Sequence, residues 1–313
     1  MKCIITGGAG FIGSNLADKL IREGYEVSII DNLSTGKKEN LNPKAVFYNI
    51  DILDPKISQI FKKEKPETVF HYAAQIDVRK SVEYPIRSAE TNILGSLNIL
   101  ENCKNFGVKK IVFASTGGAI YGEAEIIPTS EDYLAQPVSP YGIEKLSVEH
   151  YLNFYKKEYN LDYLILRFAN VYGPRQNSKG EAGVIAIFCD KIIKGEQLVI
   201  NGLGEQTRDF VFVEDVVNAN ILAIKKNESG VFNIGTGIET DINAIFQELK
   251  KLLDPSVQEI HGPEKAGEQK RSCLDFKKAK EILGWKPIYD LAKGLEKTEE
   301  WFNLHNLYEP HKS

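Results

Sequence analysis

Apolar residues along the chain follow two alternating periods. Short runs rich in β-branched residues occupy positions 3–5, 25–30, 45–50, 68–71, 110–115 and 162–168. Runs of that length, apolar on both faces, predict strands of a buried parallel sheet. Between them apolar positions recur at helical spacing, over 11–21, near 57–61, over 86–105 (Ile93, Leu94, Leu97, Leu100) and over about 141–158. This alternation predicts an α/β fold with right-handed crossovers and helices on both faces of the sheet. Beyond residue 168 the texture changes. A loop at 170–175 is followed by shorter elements broken by Gly and Pro, and lysine-rich segments at 277–283 and 291–305 read as solvated helix faces.

The first strand runs into Thr6-Gly7-Gly8. Gly7, Gly10 and Gly13 follow at three-residue spacing, and a helical period begins at Phe11 and Ile12. Strand, glycine turn and helix N-terminus together make a pyrophosphate site. Glycine lets backbone approach phosphate and helix approach strand, while free N–H groups and the helix dipole face the anion. A glycine triplet alone is weak, since turns are glycine-rich in any case. The second strand strengthens it by ending on Asp31, eighteen residues beyond Gly13. An acid there can accept both hydroxyls of an adenosine ribose and repels a 2′-phosphate, which favours NAD over NADP. The alternative is a turn aspartate, because Asp31-Asn32 is also good turn chemistry.

Asn32, Ser34, Thr35 and Gly36 form a loop over the adenosine, while Asp51 and Ile52 either border the adenine or cap the next helix. Ala73 and Ala74, followed by Gln75, leave room for a cofactor at the end of the fourth strand. Asn92, Ser115 and Phe168 complete the candidate cofactor set, and His71 reads as a structural histidine. The expectation is a Rossmann-type doubly wound parallel sheet with a smaller C-terminal α/β substrate lobe. The NAD-binding domain spans 1–170 and the lobe mainly 171–313, with an interleaved boundary.

Composition narrows the partners. The chain has 313 residues, 42% hydrophobic and 26% charged, with a formal net charge of −4. That is ordinary for a globular protein, and Lys and Arg are scattered, which argues against a nucleic-acid partner. No apolar run reaches eighteen residues, so no membrane span is expected. Residues 1–13 begin a strand directly, without the regions of a signal peptide. Cys3, Cys103, Cys189 and Cys273 are isolated and lack a companion His cluster. They fit reduced core thiols of a cytoplasmic protein, and no metal is expected.

The chemistry is carried by Tyr141-Gly142-Ile143-Glu144-Lys145. On a helix, residues four apart share a face, so phenol and amine point the same way. An ammonium beside a phenol lowers its pKa towards neutrality, making a general base or acid for an alcohol. Thr116 ends the strand facing the same crevice, and its hydroxyl can hold the reacting oxygen. A Tyr and a Lys four apart arise often by chance. Their weight comes from the fold and from the strand-end pair Ser115-Thr116.

These stretches carry a resemblance. TGGAGFIG at Thr6, DNLSTG at Asp31, HYAAQ at His71, STGGAIYGE at Ser115, SPYGIEK at Ser139, RFANVYGPR at Arg167 and RDFVFVEDV at Arg208 resemble the extended short-chain dehydrogenase/reductase family. Within it they are most like the UDP-galactose (UDP-glucose) 4-epimerases. The resemblance runs from Gly7 to about Trp285, and its motifs are more specific for the extended family than for one sugar nucleotide.

It implies an NAD-dependent isomerase that inverts C4 of a UDP-hexose through a 4-keto intermediate, which turns about its bond to the pyrophosphate. Tyr141 would take the proton of the 4-hydroxyl, Lys145 would hold the nicotinamide ribose and tune Tyr141, and Thr116 would hydrogen-bond the 4-oxygen. Many epimerases place a serine one position later, where this chain has Gly117, so Ser115 is the second choice for that hydroxyl. Asn170 and Arg208 would contact the pyrophosphate; the alternative for Arg208 is a salt bridge to Asp209 or Glu214. Ala182, Gly183, Val184 and Ile185 would line the uracil side. Lys265 falls near the family's usual second arginine, and Glu268 would bind ribose.

At the position where a large aromatic excludes 2-N-acetyl groups stands the small Ser272, so UDP-GalNAc and UDP-GlcNAc are expected to be accepted. The family usually dimerises through the helices near 92–103 and 141–158. Three competing readings remain. A 4,6-dehydratase needs acids where this chain has Gly117-Gly118. An epimerase or decarboxylase acting on UDP-glucuronate needs a cation for a C6 carboxylate. A non-catalytic NAD-binding regulator would have no use for Thr116, Tyr141 and Lys145 together.

Overall fold

The computed structural model describes residues 1–179, 183–265 and 269–306. Strands form at each of the six expected places: β1 (Lys2–Thr6), β2 (Glu26–Asp31), β3 (Val46–Asn49), β4 (Thr68–His71), β5 (Lys110–Thr116) and β6 (Asp162–Phe168). A seventh strand, Gly230–Ile234, pairs with β6 from the far side, a placement the sequence pattern did not anticipate. The order across the sheet is that strand, then β6, β5, β4, β1, β2 and β3, with every pair parallel.

Alternating side chains bury both faces. Ile5 packs with Leu16, Leu20 and Val112 on one side, while Ile4 packs with Val69, Ile99, Phe113 and Leu152 on the other. That is why these strands read as continuous apolar runs. The chain proceeds from β1 to β2 and β3 in one direction and to β4, β5 and β6 in the other. At such a reversal the loops at the carboxyl ends of adjacent strands diverge and leave a crevice.

The expected helix over 86–105 is not continuous. Pro85–Ala89 is followed by a widened π turn at Glu90–Leu94 and then by Gly95–Asn105. A Cβ on Gly95 would stand 2.5 Å from Ile52 Cδ1, so the chain passes β3's exit loop at a distance only glycine permits. The helix Pro140–Tyr159 starts behind Ser139, whose hydroxyl accepts from Gly142 N–H at 3.2 Å.

A third core, with Tyr172, Phe188, Phe212, Phe246 and Leu295, holds a lobe of helices and very short strands. There the pair Thr207–Arg208 runs between Thr240–Asp241 and Arg271–Ser272.

Candidate active site

The glycine turn is built by close approach. A Cβ on Gly7, where φ is +71°, would stand 2.6 Å from Ala73 N, and one on Gly13 would stand 2.4 Å from Gly7 O. Neither position admits a side chain, so β1, β4 and the helix Phe11–Arg22 meet backbone to backbone. That helix starts at Gly10 with no side-chain cap and no acid in its first turn, leaving its first N–H groups to an outside acceptor.

Beside it lies a cavity of about 200 Å³. Gly7, Gly10, Phe11, Ile12 and Gly13 line it, as do Asp31, Asn32, Ser34 and Thr35. Asp51, Ile52, Ala73 and Ala74 complete the wall, joined by Ile50, Tyr72, Ile76 and Thr91, which sequence reasoning did not assign. The backbone donors, the close-packed glycine turn and the acid on the same wall fit a dinucleotide with a free ribose diol. Asp31 is buried and also holds the loops, accepting from Ala9 N–H at 2.9 Å and Leu33 N–H at 2.8 Å. The turn reading and the ribose reading are thus compatible. Asp51 accepts from Asn32 Nδ2 at 2.7 Å and from Leu53 N–H at 2.9 Å, so it braces the loop of Asn32.

Seven members of the expected cofactor set lie elsewhere than on this wall: Gly36, Gln75, Asn92, Ser115, Tyr141, Lys145 and Phe168. Gly36 packs on Ala9 and Asp31, where its Cβ would stand 2.9 Å from Ala9 Cβ. Phe168 stacks on Tyr72, with ring centroids 6.2 Å apart. Asn92 is buried and spends its amide on protein: Oδ1 accepts from Gln75 N–H at 2.8 Å, and Nδ2 donates to Gln75 O at 2.9 Å and Glu144 Oε2 at 2.6 Å. Gln75 is therefore gripped through its backbone. Ser115 points away from Thr116, as alternation on a strand requires, and donates to Glu149 Oε1 at 2.6 Å. Glu149 is also held by Arg167 through two donors at 3.0 and 2.6 Å. This buried pairing engages the Ser115 hydroxyl and removes it as a second choice for the reacting oxygen.

Thr116 caps the turn Gly117–Ile120, its Oγ1 accepting from Ala119 N–H at 3.2 Å. A Cβ on Gly117 would stand 2.5 Å from Leu274 Cδ1, which accounts for glycine there. Gly142 lets the next helix press on the same turn, since its Cβ would stand 2.5 Å from Ala119 O. Thr116 and Tyr141 thus sit on two elements in direct contact. Lys145 is buried and donates from Nζ to Ala114 O at 2.9 Å, 4.7 Å over the Phe113 ring and 5.8 Å from the Tyr141 ring centroid.

The expected lowering of the Tyr141 pKa does not occur. Burial, and then the Glu144 carboxylate, push it upward, while the Lys145 ammonium donates to Ala114 O and lies over Phe113. Burial draws Lys145 down to about 8, against the opposing charges of Glu144 and Glu149. His71 is structural in this geometry, bonded to Thr6 Oγ1 at 2.7 Å and Ser96 Oγ at 2.8 Å.

The lobe brings its candidates together through the short strands. Asn170 pairs in register with Phe210, two residues from Arg208, and Arg208 pairs with Ser272. Arg208 donates to Thr207 O at 2.7 Å, while Asp209 accepts from Thr236 and Leu274 and Glu214 pairs with Lys297. Ser272 reaches the strand end: its Oγ lies 3.9 Å from a Cβ built on Gly118. Gly183 opens the helix Val184–Ile193, where half-buried Val184 packs on the lobe's core. Lys265 is exposed, and Ala182 and Glu268 lie outside the described residues.

A depression of about 320 Å³ at the sheet edge, lined by Tyr48, Lys56 and Lys63 among others, shares Ile50 with the first cavity and carries none of the acid–base candidates. Among the described residues no group of three or more His, Cys, Asp or Glu could hold a metal ion, and no helix is long and apolar enough to cross a membrane.

Comparison with known proteins places this geometry. Residues 3–235 match the model of the NAD dependent epimerase/dehydratase family. A UDP-glucose 4-epimerase from Thermotoga maritima, solved with UDP-glucose, is 51% identical over 98% of this chain and 100% of its own, with a TM-score of 0.96. A Methanocaldococcus jannaschii protein, provisionally named UDP-glucose 4-epimerase, is 48% identical over 97% of this chain and 99% of its own. A UDP-N-acetylglucosamine 4-epimerase from Methanobrevibacter ruminantium, solved with UDP-N-acetylmuramic acid, is 38% identical over 97% of this chain and 98% of its own, with a TM-score of 0.92. This chain belongs to the NAD-dependent epimerase/dehydratase family, within the extended short-chain dehydrogenases/reductases.

Proposed function

We propose that this protein interconverts UDP-galactose and UDP-glucose by inverting C4. The observation that carries the reading is a glycine cradle at the carboxyl end of β1, with Asp31 on its cavity wall, together with the Thr116 turn at the carboxyl end of β5, packed against the helix bearing Tyr141 and Lys145. The cradle and Asp31 would hold NAD, with Lys145 at its nicotinamide ribose. When bound, NAD supplies the hydride acceptor and donor at C4, so the sugar passes through a 4-ketone.

Tyr141 takes the proton of the 4-hydroxyl and returns it on the opposite face. Burial and Glu144 favour its neutral form, so the Lys145 ammonium, 5.8 Å from the ring, has to support the phenolate when the proton is taken. Thr116, held by its own cap bond, hydrogen-bonds the 4-oxygen. Arg208 and Asn170 grip the pyrophosphate, with Lys265 near it, Gly183 and Val184 beside the uracil and Glu268 at its ribose. The division of labour is a cofactor domain over 1–170 and a sugar-nucleotide lobe mainly over 171–313.

A small residue at Ser272, beside Gly118, leaves room for a 2-N-acetyl group, and the Methanobrevibacter ruminantium relative is named for such a substrate. The UDP-glucuronate reading lacks an assigned cation for a carboxylate at C6. We also propose a cytoplasmic homodimer. Exposed Leu94, Ile143, Tyr151 and Phe154, on the helices expected to pair, form an apolar surface for a second copy.

Proton NMR of the anomeric signals tests the reading. UDP-galactose incubated with the NAD-loaded protein should yield UDP-glucose to a fixed ratio. An unchanged spectrum from folded protein with NAD bound rejects this substrate.

A further inference from the structure

Glu144 lies inside the Tyr141–Lys145 stretch and is 3% exposed. A carboxylate so buried persists only where donors satisfy it. Its Oε2 accepts from Ser88 Oγ at 2.8 Å and from Asn92 Nδ2 at 2.6 Å. Asn92 carries the connection onward, holding both backbone polar groups of Gln75 with one amide. Gln75 stands between Ala74 and Ile76, which line the cofactor cavity. Asn92 is fixed in turn through its own backbone, since Ser96 Oγ donates to Asn92 O across the π turn. Glu144 therefore meets the cavity wall through one intermediary, from the helix that bears the acid–base pair.

We infer that Glu144 is a positioning residue: through Asn92 it locks the loop bordering the cofactor to the helix that carries Tyr141 and Lys145. The inference rests on the C4-epimerase reading for its kinetic half only. The relay also has an electrostatic side. The Glu144 charge adds to burial in raising the Tyr141 pKa and opposes the burial that lowers Lys145. Glu149, one turn on, acts on Lys145 in the same sense, and His71, kept neutral by burial, faces Lys145 from β4.

Four variants test it: Glu144→Ala, Asn92→Ala, the double variant and Glu144→Gln. The first readout is the rate at which NAD-loaded protein, without sugar, loses NAD. Glu144→Ala and Asn92→Ala should each release it about tenfold faster, the scale of one lost charge-assisted hydrogen bond. The double variant should release it no more than about twofold faster than the worse single, because one relay is cut twice. Wild-type release from both singles, or losses that multiply, overturns the relay.

Glu144→Gln keeps an oxygen for both donors and removes the charge. Its release rate should stay within about threefold of wild type, while both limbs of its kcat–pH profile move to lower pH. An unmoved profile overturns the electrostatic side. If Glu144→Ala does not fold, Asn92→Ala and Glu144→Gln decide: Asn92→Ala releasing NAD at the wild-type rate overturns the relay. The release rates hold whether or not UDP-galactose is the substrate, so failure of the epimerase reading is separately visible.

Discussion

The cofactor cradle and the sugar-side lobe reach a binding surface by opposite means. In the cradle, backbone does the binding: Gly7 and Gly13 are pressed so close to Ala73 N and Gly7 O that no side chain fits, and Asp31 anchors the loops while facing the cavity. In the lobe, side chains are presented by strands only two residues long, Thr207–Arg208 and Arg271–Ser272, held over an apolar core. A surface made of backbone tolerates almost no substitution. One made of side chains on short strands can be re-aimed residue by residue, so under the proposed function it is where substrate range would be set.

The strongest way to sharpen the contrast is to remove chemistry and leave both surfaces intact. Tyr141→Phe should lower kcat by about 10³-fold or more, the range of a lost general acid–base group, with NAD still bound and the KM for UDP-galactose nearly unchanged. NAD content and initial rates on one preparation check this; turnover within tenfold of wild type would falsify the role of Tyr141.

Next come substitutions that damage one surface at a time. Gly13→Ala forces a Cβ to 2.4 Å from Gly7 O, so NAD affinity and melting temperature should both fall, by up to about 3 kcal/mol in stability. Arg208→Ala should instead raise the KM for UDP-galactose by about 10 to 100-fold and leave NAD titration unaltered. If Arg208→Ala weakened NAD as much as Gly13→Ala does, the two surfaces would not be separable.

The contrast also explains what was legible in the sequence. The glycine turn, Asp31 at a strand end and Tyr141 four residues before Lys145 are local patterns, and each forms within one or two adjacent elements. The engagement of the Ser115 hydroxyl is not legible because its partner Glu149 lies 34 residues away and the sheet's alternation aims one at the other. The grip of Asn92 on Gln75 is not legible because it depends on a π turn that periodicity does not reveal. The upward direction of the Tyr141 shift comes from burial and then from the Glu144 charge, neither of which the Tyr–Lys spacing reveals. The seventh strand, Gly230–Ile234, is five residues long and interrupted by Asn233, whose amide serves Thr129 O.

A smaller effect should separate the surfaces by substrate. Ser272→Tyr places a ring in the space that the small Ser272 side chain, with its Oγ 3.9 Å from a Cβ built on Gly118, leaves open. Activity on UDP-N-acetylgalactosamine should drop by about 10²-fold relative to UDP-galactose, since overpacking a pocket costs one to three kcal/mol at about tenfold per 1.4 kcal/mol. Equal losses on both substrates would mean that Ser272 does not gate the 2-position.

The smallest effect lies beneath the cradle, at His71, and appears only with acid. Thr6 Oγ1 already accepts from Tyr72 and Ala73 N–H, so its proton goes to His71 Nδ1; His71 Nε2–H then donates to Ser96 Oγ, and Ser96 donates to Asn92 O. This one-way order has no place for a second proton on the ring, and burial lowers the His71 pKa to about 3. Because the folded pKa is depressed, the unfolded chain binds a proton below about 6.5 that the folded chain refuses. Stability should therefore fall as pH drops from about 6.5 towards 3, with this residue contributing a slope of up to about 1.4 kcal/mol per pH unit. In His71→Asn the protein should be less stable at pH 7, having lost ring hydrogen bonds, yet its stability should decline less steeply between pH 6 and 4. Urea unfolding of both proteins across that range decides it: parallel slopes would mean that the ring takes up its proton without breaking the chain from Thr6 to Asn92.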